Sequence, residues 1–342
     1  MKDMTFRNMI FNIWILLAAI AGAQTPLDNL IYNGNSSYIN SNGGYSRIGE
    51  SNKIYVKNIK SGKTKVVYKG VGSLNFIQVS PRGTYVAMAE FIARQHGQPP
   101  GRMRHVIVEI STGKILYNVE NNVRRMSWKE DETKLAFCVG MYREGGAGFD
   151  SEGVRILDIE TGNSEFLDVE GYYLHWAEHD NAIYIRGFNR ENTELGWSIY
   201  RYNPASKDLD ITSHKGINFS PSGKYYSAFT VDAARHTLYD AATNRDVTPD
   251  WDVPPNLLFW LPDDRLLISG HRRGQRDKVI ETVLYDLDTS TELERIDNDS
   301  PIHIHSVGGE ARVLFGNRTM VYMNKKFERR VQNWRDNLDP VD

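Results

Sequence analysis

The chain has 342 residues, 40% hydrophobic and 25% charged, enough to bury a sizeable core in one large domain or two ordinary ones. A formal charge of −2 gives no electrostatic reason to expect nucleic acid or an acidic membrane surface as partner. Its single cysteine, Cys138, excludes an intrachain disulfide, so the fold must hold on core area alone.

Residues 1–23 read as a signal peptide. Lys2 and Arg7 precede the apolar run "MIFNIWILLAAIAGA", which closes on the small-x-small cleavage pattern Ala21-Gly22-Ala23. The run is short for a membrane span and contains Asn12, so no stable membrane insertion is expected after cleavage. Cleavage near Ala23 leaves a chain destined for a bacterial periplasm or for secretion. Cys138 sits between apolar residues in "KLAFCVG" and reads as a small buried thiol.

From residue 24 to 335 one unit recurs, with the remaining 336–342 as a tail. An apolar strand runs into a tight turn, as in "IQVSPRGTYVAMAE" and "INFSPSGKYYSAFT", and a second strand follows. After a variable loop come a third strand, a Gly/Asn/Ser turn and a fourth strand, as in "VIVEISTGK", "VRILDIETGN" and "TVLYDLDTST". Gly, Asn and Ser supply the backbone freedom of tight hairpins. The period, roughly 40 to 50 residues, is that of propeller blades. An isolated four-stranded sheet would leave both faces wet, and packing sheets about an axis buries them. Third-strand units occur seven times, so a single all-β propeller of four-stranded antiparallel blades is predicted. Seven blades are favoured, with six plus a hairpin as the alternative.

The "FSPSGK…YSAF" and "VSPRGT…VAMA" turns, with "LYDxxT" and "xDIETG" after them, resemble the TolB-type, WD-repeat-like propellers of bacteria over roughly residues 50–330. That resemblance implies the fold and leaves function open, because such blades serve binding platforms, peptidase gates and enzymes alike.

Strand alternation sorts the first strand of each unit into two faces. Ile77/Val79, Met126/Trp128, Leu174/Trp176, Ile217/Phe219 and Leu258/Trp260 make a core face. The opposite parity holds Gln78, Arg125, Ser127, His175, Asn218, His303 and His305, the expected lining of a central channel. The long loops between second and third strands carry Arg94, Arg102, Arg143, Arg190, Arg272 and Arg273, a rim suited to carboxylates or phosphates but balanced by acids in the same loops. His303 and His305 in "IHIHS" lie two apart on a strand, and with His175 they are the candidate ligands of a divalent metal. Oligogalacturonate lyases are propellers that hold such a metal, and this chain resembles them in the HxH pair and blade pattern only.

There is no G-x-S-x-G elbow, Gly-rich phosphate loop, paired-cysteine zinc site or calcium loop. The first expectation is therefore an exported, non-enzymatic propeller, monomeric unless in an assembly, binding a protein, peptide or glycan on its long-loop face. No cofactor is favoured. The second is a channel-centred, metal-assisted lyase acting on an acidic sugar, and the third a scaffold in an envelope assembly.

Overall fold

The computed structural model describes residues 29–33, 52–58, 61, 63–92, 103–142, 148–188, 197–230, 235–251, 253, 255–271, 280–297, 301–307, 310–315, 319–323 and 326–328. The expected signal peptide, the C-terminal tail and the six rim arginines lie outside the described residues, as do the side chains of His303 and His305.

Every element among the described residues is a strand, and the strands form seven antiparallel sheets, each built from consecutive strands. The first sheet holds β1 (Asn29–Asn33), β2 (Lys53–Asn58) and β3 (Thr64–Lys69). The second holds β4 (Ser73–Val79), β5 (Tyr85–Phe91), β6 (Met103–Glu109) and β7 (Ile115–Glu120). In the third are β8 (Val123–Trp128), β9 (Lys134–Tyr142), β10 (Phe149–Asp158) and β11 (Ser164–Leu167). The fourth comprises β12 (Glu170–Ala177), β13 (Ala182–Phe188), β14 (Trp197–Tyr202) and β15 (Leu209–Thr212). The fifth has β16 (Asn218–Phe219), β17 (Tyr225–Thr230) and β18 (Arg235–Asp240). β19 (Pro255–Trp260), β20 (Leu266–His271), β21 (Ile280–Asp286) and β22 (Thr291–Asp297) make the sixth. β23 (Pro301–Val307), β24 (Glu310–Phe315), β25 (Thr319–Met323) and β26 (Lys326–Glu328) make the seventh.

The recurring Asp-x-x-Thr has a local cause. The Asp158 carboxylate accepts hydrogen bonds from the Thr161 N–H and hydroxyl, both at 2.9 Å. Asp240 does the same for Thr243 at 2.8 and 2.7 Å, and Asp286 accepts the Thr289 N–H at 3.2 Å. Each aspartate closes the third-to-fourth-strand turn on its own backbone. In the Ser-Pro-x-Gly turns, Gly83 and Gly223 adopt φ of 72° and 76°, and each N–H donates to the serine carbonyl at 2.9 Å.

Six hydrophobic clusters lie between consecutive sheets. Alternation along β5 shows how: Val86 and Met88 pack with Ile54, Val56 and Tyr68 of the first sheet, and Ala87 and Ala89 with Leu135 and Phe137 of the third. Each buried Leu, Ile or Phe contributes about 1.5–3 kcal/mol, so the interfaces carry the fold. Because a sheet sits between two neighbours, parity sorts its residues between two cores rather than between core and water. The second face of the first strands is accordingly not a uniform channel wall: Phe259 is buried among seventh-sheet residues and Phe76 packs toward the third sheet.

Candidate functional site

Consecutive antiparallel strands give the molecule two unlike ends. First-to-second and third-to-fourth turns lie at one, the turn end. Second-to-third loops and sheet-to-sheet connections leave from the other, the loop end.

At the turn end the sheets are tied to one another. Glu132, 6% exposed at the first turn of the third sheet, accepts hydrogen bonds from the Ser80 hydroxyl at 2.5 Å, the Arg82 N–H at 2.6 Å and the Thr84 N–H at 3.4 Å. These donors belong to the equivalent turn of the second sheet. Asp264 repeats the device between sixth and fifth sheets, accepting from the Ser222 N–H at 2.9 Å and the Ser222 hydroxyl. Both acids are held at positive φ, 64° and 62°, a costly conformation for a side-chain-bearing residue. Between the fourth and fifth sheets the His179 ring packs on Gly223 so closely that a Cβ there would fall 2.2 Å from it. Burial and the adjacent Glu130 carboxyl raise the pKa of Glu178 at this end.

The loop end also has a tied node. Glu90, fully buried near the end of β5, accepts from Arg104 Nε at 2.6 Å, the Tyr68 hydroxyl at 2.6 Å and the Gly72 N–H at 3.0 Å, and also from the Val71 N–H. Burial alone would raise its pKa, but these donors outweigh burial and hold it below the ordinary carboxylate value. The node pins the connection from β3 into β4. Tyr68, facing the same carboxylate, is pushed up to about 12, chiefly by burial.

Elsewhere this end exposes apolar surface. Met141 and Phe229 stand near the ends of second strands, Trp197 and Ile280 open third strands, and Tyr173 and Leu257 lie early in first strands; all are exposed. Trp197 is 56% exposed and Tyr173 42%. Arginines lie over several rings: Arg125 Cζ is 4.9 Å from the Tyr173 centroid, Arg186 is 5.9 Å from Trp197 and Arg124 is 5.8 Å from Phe149. Tyr172 meets Trp197 edge-on at 4.9 Å. Register shifts of one residue re-aim the early part of β4, β8, β12, β19 and β23 at this end, with Phe76 at φ 47° inside the first.

Several predicted lining residues link first strands to their neighbours. The Ser127 hydroxyl, buried, accepts the Trp176 N–H at 2.7 Å. The Trp128 indole N–H donates to the Gln78 carbonyl at 3.5 Å, and that of Trp260 to the Asn218 carbonyl at 3.1 Å. Asn218 also donates to the Ser227 hydroxyl at 2.9 Å. The His175 ring stacks 6.3 Å from Phe219, and burial, aided by His179, lowers its pKa to about 4, so it is neutral at pH 7. Among the predicted lining residues whose side chains are described, Arg125 alone joins the exposed aromatic cluster. In the backbone register of β23 and β24, His303 pairs with Leu314 and His305 with Arg312. No group of three or more potential metal ligands occurs among the described residues. The aromatic part of the site, Tyr173, Trp197 and Phe229, escapes sequence reasoning, because aromatics at strand ends look like ordinary strand formers.

No protein-family model matches the chain. No curated protein matches it either. Among solved structures it is similar to the β-propeller domain of the Trilobed protease from Pyrococcus furiosus, which has an open velcro topology, at a TM-score of 0.53 and 14% identity over 85% of this chain and 89% of that one. The fold is that of a β-propeller. The blades are also similar to a chain of the mitotic checkpoint complex, at a TM-score of 0.52 and 13% identity over 86% and 93% of the two chains. TolB from Acinetobacter baumannii is similar at a TM-score of 0.46 and 13% identity over 79% of this chain, which spans 62% of the TolB length. Among the described residues no helix is long and apolar enough to cross a membrane.

Proposed function

We propose that this chain is an exported, non-enzymatic binding module whose seven sheets are seven blades, holding a protein, peptide or glycan at the loop end and channel mouth. The observation that carries this reading is the exposure of Tyr173 and Trp197 at one end, with Arg125 and Arg186 stacked on their rings. Exposed aromatics backed by arginine are the side chains that dominate binding energy at interfaces. They sit on strands, which hold them in place for a partner.

The test is a peptide and glycan array probed with residues 24–342. A ligand whose affinity falls at least tenfold in a Tyr173→Ala/Trp197→Ala double variant, and holds in Val119→Ala on the outer strand β7, supports the reading. No ligand, or one indifferent to the double variant, overturns it.

A second reading, a metal-assisted lyase acting on an acidic sugar, draws on the two-residue spacing of His303 and His305 along β23 and on the neutral state of His175, the form that binds metal. Elemental mass spectrometry on protein purified without chelator or metal-affinity tag decides it. A stoichiometric divalent metal lost in His303→Ala brings it forward; metal-free protein whose melting ignores manganese and zinc removes it. A scaffold in an envelope assembly would use the same apolar end.

A further inference from the structure

The outermost strand of the second sheet differs from the other outer strands. An edge strand presents a row of backbone N–H and C=O groups to any passing chain, and proteins blunt such edges with charge. β3 carries Lys65, β11 Glu165, β15 Asp210, and β22 Glu294 and Arg295, while in β26 Lys326 and Glu328 flank Phe327. β7 instead runs Ile115-Leu116-Tyr117-Asn118-Val119 before its first charge, Glu120. It pairs with β6 on one side, and among the described residues no strand pairs with the other.

The strand is also exposed on both faces. Ile115 is 45% exposed, Leu116 36% and Val119 42%, and Asn118 and Glu120 are exposed beside them. Among the described residues no other outer strand shows three large apolar side chains to solvent. Tyr117 alone is partly covered, its ring meeting His105 edge-on at 5.4 Å, which fastens the middle of the strand to its own sheet. Just beyond β7 the Asn121 N–H donates to the Met103 carbonyl at 3.1 Å. Alternation from that point turns the backbone groups of Glu120 and Asn118 toward the open edge. The register with β6 also passes over Leu116.

The order of residues says what fits this edge. A two-fold axis through Tyr117 sets β7 antiparallel to a copy of itself. Ile115 then faces Val119, Leu116 faces Asn118 and Lys114 faces Glu120, each twice. Directly opposed residues of an antiparallel pair share a face and interact, favourably where both are apolar or their charges are opposite. A stretch complementary to its own reverse is what a two-fold contact between identical chains requires.

We propose that two copies of this chain join edge to edge through β7, so that the four strands of each second sheet continue into those of the other. The contact is independent of what the loop end binds.

Sedimentation velocity on residues 24–342 at about 1 to 200 µM tests it, because a contact this small belongs among the weak, transient ones. The mean mass should rise from that of one chain toward that of two as concentration increases. Lys114→Glu sets like charges opposite each other at both ends of the contact and should weaken association about tenfold, as should Glu120→Lys. An equimolar mixture of these two variants restores an opposite pair at each end and should associate about as tightly as the parent. Val119→Lys should abolish association. All three positions are exposed, so the variants should melt close to the parent, which checks that they fold. The mass of one chain at every concentration, parent-like association of the single variants, or a mixture no tighter than either variant alone overturns the proposal.

Discussion

The two ends of the molecule are built on opposite rules. At the turn end, polar groups face one another across blade boundaries: Glu132 reaches three donors on the preceding blade, and Asp264 repeats the contact three interfaces further round the sequence. At the loop end, apart from the Glu90 node, Tyr173, Trp197 and Phe229 face solvent. The same strands thus end in interlocked turns on one side and solvent-exposed aromatics on the other. The difference teaches that stability and recognition are divided by end, and changes at each should have different signatures.

The largest effect is expected from Glu132→Ala. It strands the Ser80 hydroxyl and the Arg82 N–H in a buried site and should cost about 3 kcal/mol in denaturant unfolding. Glu132→Gly loses the same bonds but relieves the positive φ, and should recover about 1 kcal/mol of that loss. Equal losses in the two variants would show that backbone strain there is negligible. Glu90→Gln should cost about 2 kcal/mol, since it removes the charge facing Arg104. Its sign with pH is fixed. The folded pKa of Glu90 lies below the unfolded value, so its contribution is present above about 4.5 and lost as pH falls through the folded value. The gap between parent and variant should narrow on acidification, measured by unfolding at pH 7, 5 and 3.

Asp264→Ala should cost about 1 kcal/mol, less than Glu132→Ala, because its Ser222 contact is exposed. Trp197→Ala tests the other side of the comparison: stability should move by less than about 0.5 kcal/mol while loop-end binding is lost. A large loss of stability would mean that the exposed ring is structural. The smallest effect belongs to Glu178→Gln. A raised folded pKa means that the parent's stability is fullest at low pH and declines as pH rises through that value. The variant should therefore melt slightly higher than the parent at pH 8 and no higher at pH 5.

The architecture was readable in the sequence because its signals are local. Asp158 and Thr161, or Ser220 and Gly223, lie three residues apart and close their turns without outside help. Glu132 and its partners are about 50 residues apart, so nothing near Glu132 announces its task. Strict alternation does not by itself sort the first strands for a related reason: a sheet between two sheets has two interiors, and one-residue shifts re-aim the strand at the loop end. The rim arginines drew attention through charge, whereas Tyr173 and Trp197 resemble strand formers until exposure singles them out. After the fifth sheet, Pro249, Pro254 and Pro255 are visible in the sequence, but the absence of a fourth strand there reads as an ordinary connection until the neighbouring sheets are laid beside it.

Construction of each sheet from strands that follow one another directly bears on how the molecule is made. A chain emerging N-terminus first can complete one sheet before the next is synthesised, and each new sheet meets a docking surface already in place. No pairing within a sheet waits for a distant segment, which keeps loop-closure entropy low at every step. Assembly can then advance as a one-dimensional growth process, with each interface stabilising its predecessor.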